Sequence, residues 1–179
     1  GNVLLEDIKS VQGAEVRKKN EEKILVNDLP KTWKHLQSIK SSSKRIDVVL
    51  DNSGFELFTD LVLALFLLDA KLISNFHIHV KSIPWMVSDT MEKDFHDLLK
   101  QLVDPEFYVN IHKNEEDKKA ITLLHSKLTT YYKSGAIVIN GSDYWTLGSD
   151  FWNLAKNEDV YSELKKSDLV IFKGDLNYR

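Results

Sequence analysis

Short apolar runs alternate along this chain with longer stretches in which apolar residues recur every three or four positions. The short runs predict strands and the longer stretches predict helices, because side chains alternate across a strand and repeat about every 3.6 residues on a helix. The predicted strands are Ile24–Val26, Ile46–Leu50, Phe76–Val80, Ala136–Ile139 and Leu169–Phe172, with a further short candidate at Phe107–Ile111. The predicted helices cover residues 31–39, 55–70, 90–102, 114–133 and the region around 160–164.

This regular alternation of strand and helix predicts an α/β fold. A doubly wound, mostly parallel sheet with helices on both faces is the architecture that joins such elements with short connections. The chain has 179 residues, which is enough for one domain with a sizeable core. We therefore expect residues 1–179 to form a single α/β core.

Composition and charge narrow the range of partners. The chain carries 24 basic and 27 acidic residues, so its net charge of -3 argues against nucleic acid or an anionic membrane as a partner. The absence of cysteine excludes disulfides, thiolate zinc sites and cysteine nucleophiles, and it is compatible with a cytoplasmic location. The apolar block Leu61–Leu68 is shorter than the ~18 residues that a membrane span requires, so it predicts a core helix.

The polar turn between the second predicted strand and its helix is the leading candidate for chemistry. Asp51 and Asn52 offer two hard oxygen ligands, and Ser53 and Gly54 suit a tight turn, at the sheet edge where α/β proteins bind ligands. A metal cation or a phosphate fits such a turn. The structural alternative is that these residues cap the helix that begins near Phe55.

Other predicted strands also end at acids, namely at Asp89 one loop after its strand, at Asp143 and at Asp175. The carboxyl ends of parallel strands lie along one edge, so these acids and Asp51 are expected to converge. Taken singly, Asp89 resembles the start of a capping box with Glu92, and Asp143 resembles an ordinary turn residue.

The last strand is followed by a denser group of polar residues. Asp175 is surrounded by Lys173, Asn177 and Arg179. Cations beside an acidic metal site are the groups that a phosphate requires, because the metal covers some of its oxygens and Lys or Arg covers the others.

The donor types favour Mg²⁺ or Mn²⁺, because carboxylates and amides are hard ligands and no thiolate is present. His77 and His79 would lie on one face of a strand. We expect that face to be solvated rather than to bind metal, because alternating polar residues commonly mark the solvent side of a strand.

Three blocks in this order resemble the metal-dependent damage-control phosphatases, whose third subfamily hydrolyses sugar phosphates. The blocks are Ile46–Leu57, Ile83–Thr90 and Leu169–Arg179, with weaker likeness at Gly1-Asn2 and Tyr144–Leu147. The resemblance covers most of the chain. It implies a cytoplasmic phosphoric monoester hydrolase of metabolite damage control, with fructose 1-phosphate and fructose 6-phosphate as substrates.

The resemblance also implies roles for individual residues. Asp51, Asn52 and Asp89 would hold a divalent metal, with Mn²⁺, Co²⁺ or Ni²⁺ favoured and Mg²⁺ possible. The implied catalytic residues are Asp51 and Asp175. The implied substrate contacts are Asp51, Asn52, Lys173, Asp175, Asn177 and Arg179.

The chain departs from the family pattern at both ends. Family members carry an N-terminal helical domain before Gly1-Asn2, and a later segment with an Arg-Thr-x-Lys motif follows the Asn177–Arg179 region. Neither is present in these 179 residues. We therefore expect the chain to be the core of a larger family fold.

Three other functions are alternatives to the phosphatase. A haloacid-dehalogenase-type phosphatase needs a second Asp two residues after the first, where this chain has Ser53. A methyltransferase acting on protein glutamates with S-adenosylmethionine usually needs a glycine-rich turn, but this turn has only Gly54 and the chain has no G-x-G. A non-catalytic binding module is the third alternative, and the oligomeric state is left open.

Overall fold

The computed structural model describes residues 18–39 and 43–177. Its contacts divide the chain into two compact units, residues 1–38 and 39–179. In the first unit a 3-10 turn at Glu21–Lys23 precedes helix α1, Leu29–Ser38, which agrees with the predicted helix. The predicted strand Ile24–Val26 is wrong, because its three side chains are 53, 99 and 75% exposed and no described strand pairs with it.

The second unit contains a four-stranded, fully parallel sheet. Its strands are β1 Arg45–Val49, β2 Asn75–Lys81, β3 Ile137–Ser142 and β4 Leu169–Phe172, in the order β3-β2-β1-β4. The predicted α/β class and parallel sheet are confirmed. The strand candidate Phe107–Ile111 is wrong, since residues 109–113 form a short helix.

Helices and 3-10 turns connect these strands. The α-helices are α2 Phe55–Asp69, α3 Glu92–Val103, α4 Val109–Lys113, α5 Glu115–Lys133 and α6 Glu158–Leu164. Two 3-10 segments, Asp143–Thr146 and Phe151–Lys156, lie between β3 and α6. Among the described helices, none combines the length and apolar surface needed to cross a membrane.

The sheet is packed on both faces. Ile46 and Val48 of β1 are at most 2% exposed and alternate along the strand with Val49, which therefore faces the other side. Val49 belongs to a cluster with aromatic and aliphatic residues from the segment between β3 and the end of α6. Those partners are Tyr144, Trp145, Val160 and Leu164.

The sheet also buries an ionic cluster. Asp47 is fully buried and accepts hydrogen bonds from Arg45 Nε at 2.7 Å and Arg45 Nη2 at 2.7 Å. His79 Nε2 lies 2.7 Å from Asp47 Oδ2, and the His79 side chain is 4% exposed. The expected solvated face is wrong at His79, because Asp47 on the neighbouring strand supplies it with a buried partner, while His77 is half-buried.

The central position of β1 places its polar turn between two other strand ends. Leu50 N–H donates to His79 O of β2 at 3.0 Å, and Lys173 N–H donates to Val49 O at 3.0 Å. These bonds continue the sheet's pairing up to the residue before Asp51. The turn that follows β1 therefore lies between the loops that follow β2 and β4.

Candidate functional site

The turn after β1 is joined to the loop after β2 by backbone pairing. Asn52 and Asp89 form an isolated antiparallel bridge. Ser53 N–H donates to Ser88 O at 2.8 Å, and Thr90 N–H donates to Asp51 O at 2.9 Å. The structure thus brings together three of the predicted site residues, although Asp51 and Asp89 are 38 positions apart in the chain.

Negative charge is concentrated around Asp51. Burial, together with the nearby Glu56 and Asp89 carboxylates, raises the pKa of Asp51 above its ordinary value, while Lys81 and Lys173 oppose the shift. Raised carboxylate pKa values are common at functional sites, where like charges are held together. A bound cation would relieve this repulsion.

Asn52 links Asp51 to helix α2 and to the β2 loop. Its Nδ2 donates to Asp51 Oδ2 at 2.8 Å and to Glu56 Oε2 at 3.0 Å. Its Oδ1 accepts a hydrogen bond from Ser88 Oγ at 2.6 Å. The amide therefore holds two carboxylates in place and presents its oxygen toward the other loop.

Asp89 is buried rather than exposed in its loop. The residue is 3% exposed, and its Oδ2 accepts hydrogen bonds from Trp85 N at 2.9 Å and Met86 N at 2.8 Å. Its Oδ1 lies 3.6 Å from the ammonium of Lys81. Lys81 was not among the predicted site residues, and its only signal in the sequence was a charge at the end of a buried strand.

The capping interpretations are wrong at both positions. Helix α2 begins after Gly54, which makes no side-chain cap bond, so neither Asp51 nor Asn52 caps it. Helix α3 begins at Glu92, and the carboxylate that reaches back to the Met91 N–H at 2.8 Å belongs to Asp94. Instead, Asn52 bonds to Asp51, Glu56 and Ser88, and Asp89 bonds to the backbone N–H groups of Trp85 and Met86.

Lys173 is held by two acids of helix α2. Its Nζ lies 2.7 Å from Glu56 Oε1 and 2.6 Å from Asp60 Oδ2. Burial raises the pKa of Asp60 even though Lys173 opposes the shift. Glu56 and Asp60 were not among the predicted site residues, and their four-residue spacing on a largely apolar helix was the available signal.

The loop after β4 is tied to the end of β1 by Asn177. Its Nδ2 donates to Leu50 O at 2.8 Å and to Lys173 O at 2.9 Å, while its buried Oδ1 has no hydrogen-bond partner in the described part of the chain. Asp175 is exposed on the same loop, and Arg179 lies outside the described residues.

Asp143 does not join this group. It begins the 3-10 segment that follows β3, which is the edge strand two positions away from β1. Its interpretation as a local structural residue agrees with this placement. The convergence therefore involves the loops that follow β1, β2 and β4.

A cavity of about 260 Å³ opens beside these loops. Asn177 and Leu176 of the β4 loop line one part of it, and the other walls are largely aromatic. The aromatic lining residues are Trp85, Tyr144, Trp145, Phe151 and Phe172. A larger cavity of about 680 Å³ lies among helices α2, α3, α4 and α5, and none of the candidate site residues lines it.

The donor set fits a hard divalent cation. Within residues 18–39 and 43–177, no three His, Asp or Glu side chains converge as a metal site. The candidate donors are the carboxylates of Asp51 and Asp89 and the amide oxygen of Asn52. Such oxygen donors suit Mg²⁺ and Mn²⁺, which keep several water or substrate ligands. The candidate carboxylate oxygens are those of Asp51 and Oδ1 of Asp89, which also forms an ion pair with Lys81 at 3.6 Å.

Comparison with known proteins identifies the family. A model described as the damage-control phosphatase ARMT1-like domain matches residues 2–179. This chain belongs to the ARMT1-like damage-control phosphatase family. The family resemblance predicted from the three sequence blocks is therefore confirmed.

The ARMT1-like chain is also similar to curated vertebrate proteins named Damage-control phosphatase ARMT1. It is 42% identical to that of Xenopus tropicalis over 167 residues, 41% identical to that of Bos taurus over 162 and 40% identical to that of Homo sapiens over 162. Each match covers 87% of this chain and 34% of the relative. The chain thus spans about a third of the length of these relatives.

Proposed function

We propose that this chain forms the core of a metal-dependent phosphomonoesterase that acts on small sugar phosphates, fructose 1-phosphate and fructose 6-phosphate among them, in cytoplasmic metabolite damage control. The observation that carries the proposal is the convergence of Asp51, Asn52 and Asp89 at the carboxyl edge of the sheet. Family membership and the phosphatase name of the relatives support the reaction class.

Asp51, Asn52 and Asp89 would hold the divalent cation, which is Mn²⁺, Co²⁺, Ni²⁺ or Mg²⁺ in this proposal. Burial and the adjacent carboxylates of Glu56 and Asp89 raise the pKa of Asp51, and a cation bound here would offset their repulsion. When bound, the metal supplies charge that polarises a phosphate oxygen. Asn52 positions the Asp51 carboxylate through its 2.8 Å hydrogen bond.

Hydrolysis exchanges one P–O bond for another. The oxygen of water bonds to phosphorus, the ester bond to the sugar breaks, and the departing sugar oxygen takes up a proton. In the proposal Asp51 lies beside the reacting phosphoryl group, and Asp175, exposed on the β4 loop, carries a proton or binds a sugar hydroxyl. Asn177 positions this loop against β1 through its two backbone contacts.

The aromatic cavity is the proposed place for the sugar. Its volume of about 260 Å³ lies below the range of about 300–1,000 Å³ typical of drug-sized ligands, so a small ligand suits it. Aromatic walls can pack against the C–H faces of a sugar, and Asn177 contributes a polar group to the lining. Lys173 and Arg179 complete the proposed substrate contacts.

The test is hydrolysis of p-nitrophenyl phosphate and fructose 1-phosphate by the purified 179-residue chain. Phosphate release is measured after EDTA treatment and again after Mn²⁺, Co²⁺, Ni²⁺ or Mg²⁺ is restored. We expect release only with metal, and Asp51→Asn should reduce kcat by about 100-fold or more, as removal of a group that stabilises transition-state charge typically does.

Asp143→Asn is the matched control, since Asp143 follows a strand of the same sheet but does not join the convergent loops. It should retain the wild-type rate. No metal-dependent release by the wild-type chain would contradict hydrolysis by this core. Calorimetric binding of S-adenosylmethionine, abolished in Asp51→Asn, would instead favour the methyltransferase alternative.

A further inference from the structure

The ammonium of Lys81 is buried without a hydrogen-bond partner. The Lys81 side chain is 1% exposed, and in the described part of the chain nothing accepts a hydrogen bond from its Nζ. A buried charge normally has a hydrogen-bonding partner, because the loss of water around it costs several kcal/mol. A buried ammonium without a hydrogen-bond acceptor therefore indicates a position prepared for one.

Asp89 does not satisfy this ammonium. Its Oδ1 is 3.6 Å from Lys81 Nζ, which exceeds the length of a charged hydrogen bond. Its Oδ2 is already used by the backbone N–H groups of Trp85 and Met86. The attraction between the two charges holds Lys81 near Asp89 but leaves its donors available.

Lys81 also lies within electrostatic range of the other candidate metal ligand. Its charge lowers the pKa of Asp51, against the larger effects of burial and Glu56. The hydroxyl of Thr90, a neighbour of Asp89 in the chain, is a second buried polar group without a partner among the described residues. Thr90 and Lys81 are also joined through the backbone, since Lys81 N–H donates to Thr90 O at 3.1 Å.

Lys173, the other lysine near the site, already has hydrogen-bonding partners. Lys173 Nζ contacts both Glu56 and Asp60 at 2.7 and 2.6 Å, so two carboxylates already neutralise it. An incoming phosphate would have to compete with both. Lys81 has no such competitor at hydrogen-bond distance.

We propose that Lys81 binds the phosphoryl group at this site, with its Nζ donating to a phosphate oxygen of the substrate and of the inorganic phosphate product. This inference rests on the proposed phosphatase function and adds a substrate contact that the sequence analysis did not include. The flexible side chain lets the ammonium follow an anion that enters beside Asp89. Lys173 remains a proposed substrate contact, but its charge is already shared with Glu56 and Asp60.

A purely structural role for Lys81 predicts a different pattern of binding. If Lys81 only holds Asp89 in place, its removal should weaken metal binding. If Lys81 binds phosphate, its removal should leave metal affinity unchanged or higher, because a nearby positive charge disappears, and should weaken phosphate binding. The two affinities therefore separate the roles.

The experiment compares Lys81→Met with the wild-type chain by calorimetry. Mg²⁺ is titrated first, and inorganic phosphate is then titrated at saturating Mg²⁺. We expect Lys81→Met to weaken phosphate binding about 10-fold to 100-fold, the usual range for one charged hydrogen bond, with Mg²⁺ affinity retained. Lys93→Met is the control, because Lys93 is exposed and its loss changes the net charge equally.

Unchanged phosphate affinity in Lys81→Met would overturn the inference, as would weakened Mg²⁺ binding with normal phosphate binding. Absence of phosphate binding by the metal-saturated wild-type chain would overturn it as well. Thermal unfolding checks that the variant folds, and Lys81→Gln replaces it if it does not. Phosphate binding that depends on Lys81 in a chain that hydrolyses nothing would refute the proposed function and leave this inference standing.

Discussion

Gly174 packs so closely against the Asp51 carboxylate that no side chain fits between them. A Cβ built on Gly174 would lie 2.6 Å from Asp51 Oδ1 and closer still to Cγ. The φ of Gly174 is +75°, in the left-handed region where a Cβ adds strain. The turn after β4 therefore needs glycine for two reasons, its positive φ and its close contact with the Asp51 carboxylate.

Gly174→Ala should weaken divalent-metal binding at least about 10-fold, because the new Cβ forces the Asp51 carboxylate to move. Gly135→Ala separates this effect from backbone strain, since Gly135 has φ +77° but nothing within 4 Å of its Cβ position. We expect both variants to lose about 1–2 kcal/mol of unfolding free energy from φ alone. Metal titration that gives equal affinities for the two variants would contradict the prediction.

Asp47 should make stability depend on acid pH. Burial acts to raise the pKa of Asp47, but Arg45 and His79 outweigh it and lower the pKa from 3.8 to about 2. A folded-state pKa below the unfolded one contributes stability above about pH 4, and that contribution is lost as pH falls toward 2. The shift corresponds to about 2 kcal/mol.

Asp47→Asn should therefore lose about 3 kcal/mol at neutral pH, because Arg45 keeps a partly buried charge without its main partner. Its stability should also change less between pH 4 and 2 than that of the wild type. Urea unfolding at several pH values measures both effects. Asp97→Asn, at an exposed ion pair with Lys100, should stay within about 0.5 kcal/mol of the wild type.

Lys173 and Asp60 should be energetically coupled. Lys173→Met leaves the acids of helix α2 without their cation and should cost about 3 kcal/mol of unfolding free energy. A double-mutant cycle with Asp60→Asn should give a coupling of about 1–3 kcal/mol. The exposed pair of Lys127 and Asp69 is the control, and its coupling should be below about 1 kcal/mol. Equal coupling in the two pairs would refute a special role for the site pair.

Thr90→Val should leave the unfolding free energy unchanged or raise it by up to about 1 kcal/mol. The buried Thr90 hydroxyl has no partner among the described residues, and its replacement by a methyl group removes a desolvation cost. Thr122→Val is a useful comparison, because it deletes a bond from Oγ1 to Lys118 O and should be slightly destabilising. A loss above about 1 kcal/mol in Thr90→Val would show that its hydroxyl is satisfied.

The pattern of apolar runs was sufficient to predict β1 to β4 and the major helices, because these elements bury side chains at their own periodicity. The same pattern predicted strands wrongly at Ile24–Val26 and Phe107–Ile111, where short apolar runs occur without a neighbouring strand to pair with. A strand needs a partner for its backbone groups, and a local sequence does not contain that information.

The sequence by itself determined the α/β class, from its alternating strands and helices, and the family, from its three sequence blocks. It also predicted the grouping of Asp51, Asn52 and Asp89, because parallel strands bring their carboxyl ends to one edge. Only the tertiary structure decided which charges are neutralised there. Lys173 meets two acids of a helix, whereas Lys81 is buried without a hydrogen-bond acceptor in the described part of the chain. Side-chain pairing between distant segments depends on packing in three dimensions, so no spacing in the chain distinguishes the two lysines.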